Sequence, residues 1–233
     1  MKSAWNKRAK HDPFYYVETK HWDGDVDAFF KLGEERAGVL LKPVLDQLAI
    51  DTTKATALDL GCGIGRFSRV LAKSFRQVLA VDVSDEMIAQ AREQNSAFSN
   101  ISFLPTDGLT LPVGSATVDF VWSYEVFQHM PTHKVIWQSV SEVSRVLKVG
   151  GFAYLHFRTG ASRRFSIPSW ALRMASLVRR RDHLTSDQTW RGAPPLDTAQ
   201  LGGQCRNVGL TLLSFHEDPT HAPGTRIFAL LRK

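Results

Sequence analysis

The chain has 233 residues, a formal net charge of +6, 43% hydrophobic and 22% charged residues, which supports one soluble α/β domain with a sizeable core. No run of about 18 apolar residues exists, so no transmembrane helix is expected, and the basic, polar segment Met1–Lys10 lacks the apolar core of a signal peptide. Cys62 and Cys205 are the only cysteines, so neither a disulfide framework nor a zinc site is supported, and a reducing cytoplasm is the expected location.

In chain order, residues 1 to 12 read as loose. Pro13-Phe14-Tyr15-Tyr16-Val17 and Trp22 bring more aromatics than exposed disorder carries, so this segment should pack on something. A helix starts over Asp25–Phe30 with an acidic first turn. A longer one covers about Gly33–Ile50, where Pro43 is a candidate break or kink. The first strand, Ala55–Leu60, enters the run Gly61-Cys62-Gly63-Ile64-Gly65, and a helix follows over about Gly63–Ser74. Glycine tolerates positive φ and leaves the backbone uncovered, so this turn offers bare amides to a ligand. The second strand, Gln77–Asp82, ends on an acid 17 positions after Gly65. In nucleotide-binding α/β folds an acid at this point accepts hydrogen bonds from ribose hydroxyls. Ser84 is the expected cap of the next helix, Asp85–Asn95.

The third strand is Ile101–Leu104, followed by Thr106-Asp107-Gly108. The fourth, Thr117–Ser123, is nearly all apolar, as a strand buried on both faces should be. A helix over Thr132–Leu147 closes on Lys148-Val149-Gly150-Gly151, which reads as a glycine C-terminal turn. The fifth strand is Phe152–Phe157. His156 and Arg158 fall near its C-terminal end, where ligands of open α/β sheets gather. Thr159–Pro195 holds Arg163, Arg164, Arg173, Arg179, Arg180 and Arg181, with an amphipathic helix pattern between them that includes Trp170. A helix over Pro195–Val208 and a closing antiparallel hairpin, Leu210–His216 with Thr225–Leu231, complete the chain.

The glycine spacing separates two cofactor classes. A dinucleotide fold shows G-x-G-x-x-G around a pyrophosphate. Here Gly61, Gly63 and Gly65 alternate, and Asp59 stands two residues before the first. An acid at the strand tip suits a ligand with a positive pole. The stretch Asp59-Leu60-Gly61-Cys62-Gly63-Ile64-Gly65 resembles motif I of the class I S-adenosylmethionine-dependent methyltransferases, in the small bacterial type with a domain 11- or 25-like methyltransferase core. Leu147-Lys148-Val149-Gly150-Gly151 is another mark of that family.

The resemblance implies a Rossmann-like three-layer α/β/α sandwich with a seven-stranded, mostly parallel sheet and an antiparallel last strand. It implies that Asp59, Gly61, Cys62, Gly63 and Gly65 hold the methionine part of the cofactor and that Asp82 holds its ribose. Val83 and Met87 would flank the adenine, Asp107 would bond its amino group, and Gly108 would meet the ring through its amide. Ser123 and Tyr124 would touch the cofactor by backbone. His129 is the candidate general base, since an imidazole can take a proton as the methyl arrives. His156 is a second catalytic candidate. Tyr16, Trp22, His129, Arg158 and Trp170 would border the acceptor. Residues 1–54 would form a helical lid, and 159–195 a substrate-covering insertion of the same single domain, 1–233.

The implied enzyme is a metal-independent methyltransferase (EC 2.1.1.-) using S-adenosyl-L-methionine for an SN2 transfer to oxygen or nitrogen of a small molecule, anionic or sugar-like. Amino-methylating nucleic-acid enzymes of the fold carry Asn-Pro-Pro-Tyr after the fourth strand; Ser123-Tyr124-Glu125-Val126 stands there instead, which disfavours nucleic acid. The alternatives are an RNA or protein methyltransferase, favoured by the +6 charge, and a non-catalytic cofactor-binding subunit. A monomer or homodimer is expected.

Overall fold

The computed structural model describes residues 1–160 and 192–233. Among them, seven strands form one sheet: β1 (Thr56–Leu60), β2 (Gln77–Asp82), β3 (Ile101–Pro105), β4 (Val118–Ser123), β5 (Leu147–Arg158), β6 (Thr211–Glu217) and β7 (Arg226–Arg232). Their order is β3-β2-β1-β4-β5-β7-β6. The first five are parallel, and β7 runs antiparallel to both β5 and β6. Side chains alternate between faces. Leu58, Leu60, Val121 and Leu155 face one cluster, with α7 (His133–Val146) and α8 (Thr198–Asn207). Ala57, Phe120, Trp122 and Tyr154 face the other, with α3 (Val26–Leu40) and α5 (Arg66–Ala72). The result is the expected three-layer sandwich. The strand order reverses between β1 and β4, the switch point outside which α/β sheets bind ligands.

Three expectations are corrected. Residues 1–12 are not loose: α1 covers Lys2–His11 and docks on α6 (Asp85–Gln94). Asn6 Oδ1 accepts from Ser84 Oγ at 2.7 Å, and Gln90 Nε2 donates to the Ala9 carbonyl at 3.0 Å. The helices between residues 25 and 50 divide differently, as α3 and the short α4 (Lys42–Leu45). Pro43 stands in the first turn of α4, where a missing N–H costs nothing. The Lys148–Gly151 stretch is no helix-terminating turn. It bulges out of β5 between the pairs Val118↔Leu147 and Phe120↔Phe152, and Lys148 Nζ reaches Asp119 Oδ1 at 2.8 Å. No helix among the described residues is long and apolar enough to cross a membrane.

Candidate active site

The glycine turn is fixed from both sides of the switch point. The amides of Gly61 and Cys62 both donate to the Val81 carbonyl, at 2.8 and 3.0 Å. Asp82 then braces the turn: Oδ2 accepts from the Gly63 amide at 3.0 Å and Oδ1 from the Ser84 amide at 2.8 Å. Gly61 has φ +75°, and a Cβ there would lie 2.2 Å from Val126 Cγ2, so only glycine lets the turn pass beneath the chain after β4. Asp59 is 3% exposed and accepts from Ser68 Oγ at 2.6 Å. Burial pushes its carboxyl up to about 7; the Ser68 hydrogen bond opposes this and the Asp82 charge adds to it. The Arg66 charge also opposes the rise without cancelling it.

Asp59, Gly61, Cys62, Gly63, Asp82, Val83, Met87, Gly108 and Tyr124 line one continuous cavity, closed on the other side by Met1, Trp5, Tyr16 and Val17. A second cavity adjoins it. Tyr16, Val17, Tyr124, Glu125 and His129 belong to both walls. The second is lined further by Arg36, Arg158, His221 and Arg226.

The junction is built on the residues after β4. Glu125 has φ +57°, a left-handed backbone that is strained for a residue with a Cβ. Its amide donates to His156 Nδ1 at 3.2 Å. That leaves Nε2 of His156 to carry the proton toward Asp218 Oδ2, 3.2 Å away. Burial pushes the His156 pKa down, against the pull of the Asp218 and Glu125 carboxylates. His221 lies between Glu125 Oε1 (3.0 Å) and Asp218 Oδ2 (2.9 Å), and the Glu125 contact foremost pushes its pKa up. Burial alone would raise the Glu125 carboxyl, but His221, His156 and His129 outweigh it and hold it at about 2. Glu125 therefore faces the junction as a fixed anion. His156, Asp218 and His221 are also the one trio among the described residues whose ligand atoms lie within 4.8 Å of one another. Of the ring nitrogens that face Asp218, Nδ1 of His221 is hydrogen-bonded to it, while Nε2 of His156 lies 3.2 Å away.

Residues 58–155 match the family model of a methyltransferase domain. That segment carries the methyltransferase domain of the class I S-adenosylmethionine-dependent type. The chain is 36% identical over 97 residues to 2-methyl-6-phytyl-1,4-hydroquinone methyltransferase of Synechocystis sp., covering 41% of this chain and 30% of that one. It is 31% identical over 156 residues to phosphoethanolamine N-methyltransferase 1 of Caenorhabditis elegans, covering 66% and 30%. The chain thus spans less than a third of each relative's length. In fold it is similar to magnesium protoporphyrin IX methyltransferase of Synechocystis PCC 6803 with bound S-adenosylhomocysteine, at TM-score 0.65 and 18% identity, covering 100% and 98%.

The cavity fits the family's cofactor: a buried carboxylate at the strand tip, a glycine cradle that a Cβ would fill, and the Asp82 carboxylate beside it. Twelve residues expected at the site do line the two cavities, eleven of them the first. Others do not. Gly65 caps α5 and Ser123 Oγ donates to the Leu60 carbonyl, both outside the cavity walls. Asp107 is turned away, its Oδ1 taken by the amides of Leu109 and Thr110 at 2.8 Å each. Trp22 stacks on Phe14 and donates Nε1 to Asp12 Oδ2 at 2.8 Å, bracing the N-terminal segment instead of facing an acceptor. His156, expected to be catalytic, is 2% exposed and lines neither cavity; it positions Glu125 from behind. Arg158 lines the second cavity. Trp170 and the arginine segment from Arg163 to Arg181 lie outside the described residues. Sequence reasoning missed Glu125, His221, Arg226, Arg36 and Glu18. Glu125 and His221 left a weak signal, an acid and a histidine in segments following strand ends.

Proposed function

We propose that the protein transfers the methyl group of S-adenosylmethionine to an oxygen or nitrogen of a small-molecule acceptor held in the second cavity. One observation carries this reading: the cavity built on Asp59, Gly61 and Asp82 adjoins another, and Tyr16, Tyr124, Glu125 and His129 line both. When bound, the cofactor supplies an already activated methyl, so the protein's work is placement and desolvation. Asp59 and the glycine turn hold the methionine end, and Asp82 holds the ribose. Tyr16 and the helices of residues 1–54 cover both cavities and exclude water. His129, on the wall of each, takes the proton that the acceptor releases. Names of relatives support small acceptors, a hydroquinone and phosphoethanolamine.

The test is methyl transfer from labelled S-adenosylmethionine to a panel of small hydroxyl and amine acceptors, beside total RNA and a protein extract. Label is expected in a small molecule, and His129→Ala should lower kcat about 100-fold or more with that acceptor. Label in RNA or protein alone would contradict the reading.

A further inference from the structure

The second cavity holds a charge arrangement that methyl transfer itself does not require. Arg158 and Arg226 stand directly opposite each other on the antiparallel strands β5 and β7. Directly opposed residues project from one face of the sheet, and like charges in that relation are destabilising. Both side chains line the second cavity. Neither makes an ion pair with a carboxylate among the described residues. Arg158 Nη2 donates to the Ala193 carbonyl, and Arg226 Nη1 to the Thr225 carbonyl at 3.0 Å. The Nε of each is buried and has no hydrogen-bond partner.

The nearby carboxylates are engaged elsewhere. Glu125 is bonded to His221, Asp218 to His156 and His221, and Glu18 to Arg66 and Arg36. Burial lowers the pKa of both arginines; at Arg226 the Glu125 and Asp218 charges oppose this and the neighbouring Arg158 charge adds to it. A guanidinium remains charged even so. Two cationic forks thus share one cavity wall, with unused donors and no carboxylate ion-paired to either among the described residues.

We propose that Arg158 and Arg226 form the seat of an oxyanion, a carboxylate or phosphate group, carried by the acceptor. This rests on the methyl-transfer reading, because the same cavity meets the cofactor cavity at Glu125 and His129. Guanidinium groups match the planar, two-oxygen geometry of such anions. The fixed charge of Glu125 repels the anion from the junction. The acceptor is therefore oriented with its anionic end on the arginines and its nucleophile toward the cofactor.

The test is thermal unfolding and calorimetric titration of the full chain, alone and saturated with S-adenosylhomocysteine. The probes are inorganic phosphate and acetate, at ionic strength matched with sodium chloride. Wild type should gain melting temperature with phosphate beyond the chloride control. Arg158→Gln/Arg226→Gln should lose that gain and weaken phosphate binding about tenfold or more. Arg206→Gln, an exposed arginine outside the cavity, should keep both. In anion-poor buffer Arg226→Gln should melt no lower than wild type, since it relieves the opposed charges. Equal phosphate response in wild type and the double variant, with S-adenosylhomocysteine still binding, would overturn the anion seat alone. Failure of S-adenosylhomocysteine to bind wild type would instead overturn the methyl-transfer reading and, with it, the anion's assignment to an acceptor.

Discussion

Glu18→Gln is expected to destabilise the protein by about 3–5 kcal/mol, because it removes one partner of a buried ion pair and leaves the other charge behind. For a chain of this size that is a fall of about 10 °C or more in melting temperature. Glu18 and Arg66 have side chains only 6% and 3% exposed. Glu18 Oε2 accepts from Arg66 Nη1 at 2.7 Å and also from Arg36 Nη1. Its Oε1 is shared between Arg36 Nη2 at 3.1 Å and His21 Nδ1 at 2.8 Å. Arg66 lies between the rings of Phe29 and Phe67, 5.1 and 5.2 Å from their centroids. Gly33 makes room for it: a Cβ there would sit 2.3 Å from Arg66 Cγ. This knot ties the N-terminal segment to the first turn of α5, where Arg66 also lines the cofactor cavity. Calorimetric melting measures the loss.

The double variant Glu18→Gln/Arg66→Met should recover much of the lost stability, since a buried pair replaced by apolar bulk is often neutral. The pH dependence has a definite sign. Burial pushes the Glu18 carboxyl up, but hydrogen bonds from His21, Arg66 and Arg36 outweigh it and hold the pKa below its usual 4.5. The stability this contributes is present above 4.5 and lost as pH falls through the lower folded value. Wild type should therefore lose its advantage over Glu18→Gln below pH 4.5. A constant difference across that range would count against the paired, ionised Glu18.

The second large effect is a trade between binding and stability at Asp59. Its folded pKa, about 7, lies above the ordinary 3.8 because burial disfavours the charge. A raised pKa gives stability that is present below 3.8 and lost as pH rises through about 7. Asp59→Asn carries no such penalty, and its amide oxygen can still accept from Ser68. The variant should melt above wild type in the absence of ligand, by a margin that grows from pH 4 to 7. It should also bind S-adenosylhomocysteine about 10- to 150-fold more weakly, the worth of a hydrogen bond to a charged partner at about 1.5–3 kcal/mol. In wild type the affinity should fall by up to about tenfold per pH unit below 7, because the cofactor's ammonium group requires the carboxylate. In Asp59→Asn that slope should vanish. A pH-independent affinity in wild type would sink the pairing of Asp59 with the cofactor.

How legible these features were in the sequence follows from how local they are. The first strand, the glycine turn and Asp82 lie within one β-α-β unit, so spacing alone identified them. The Glu18–Arg66 pair joins residues 48 apart, and no local pattern marks either as buried. Helix α1 was missed because its mostly polar sequence carries no apolar stripe; docking on α6 through Asn6 and Ala9 supplies what propensity does not. The junction of α7 and β5 was misplaced because two glycines suit a bulge as well as a helix stop; the register with β4 and the Lys233 contacts decide it. Asp107 followed a family position, yet the amides of its own turn take up its Oδ1. The pairing of Arg158 with Arg226 depends on hairpin register, which hydrophobic alternation alone does not number.

The most direct test of the central claim is calorimetric titration of S-adenosylhomocysteine into wild type and Asp82→Ala. Asp82 lines the cavity and holds the Gly63 amide in place, so the substitution removes both a carboxylate from the cavity wall and the brace of the turn. One-to-one binding to wild type, weakened about 100-fold or more in Asp82→Ala, is the expected result. Binding of equal strength to both proteins, or none to wild type, would mean that the cavity beneath the glycine turn is not the cofactor site.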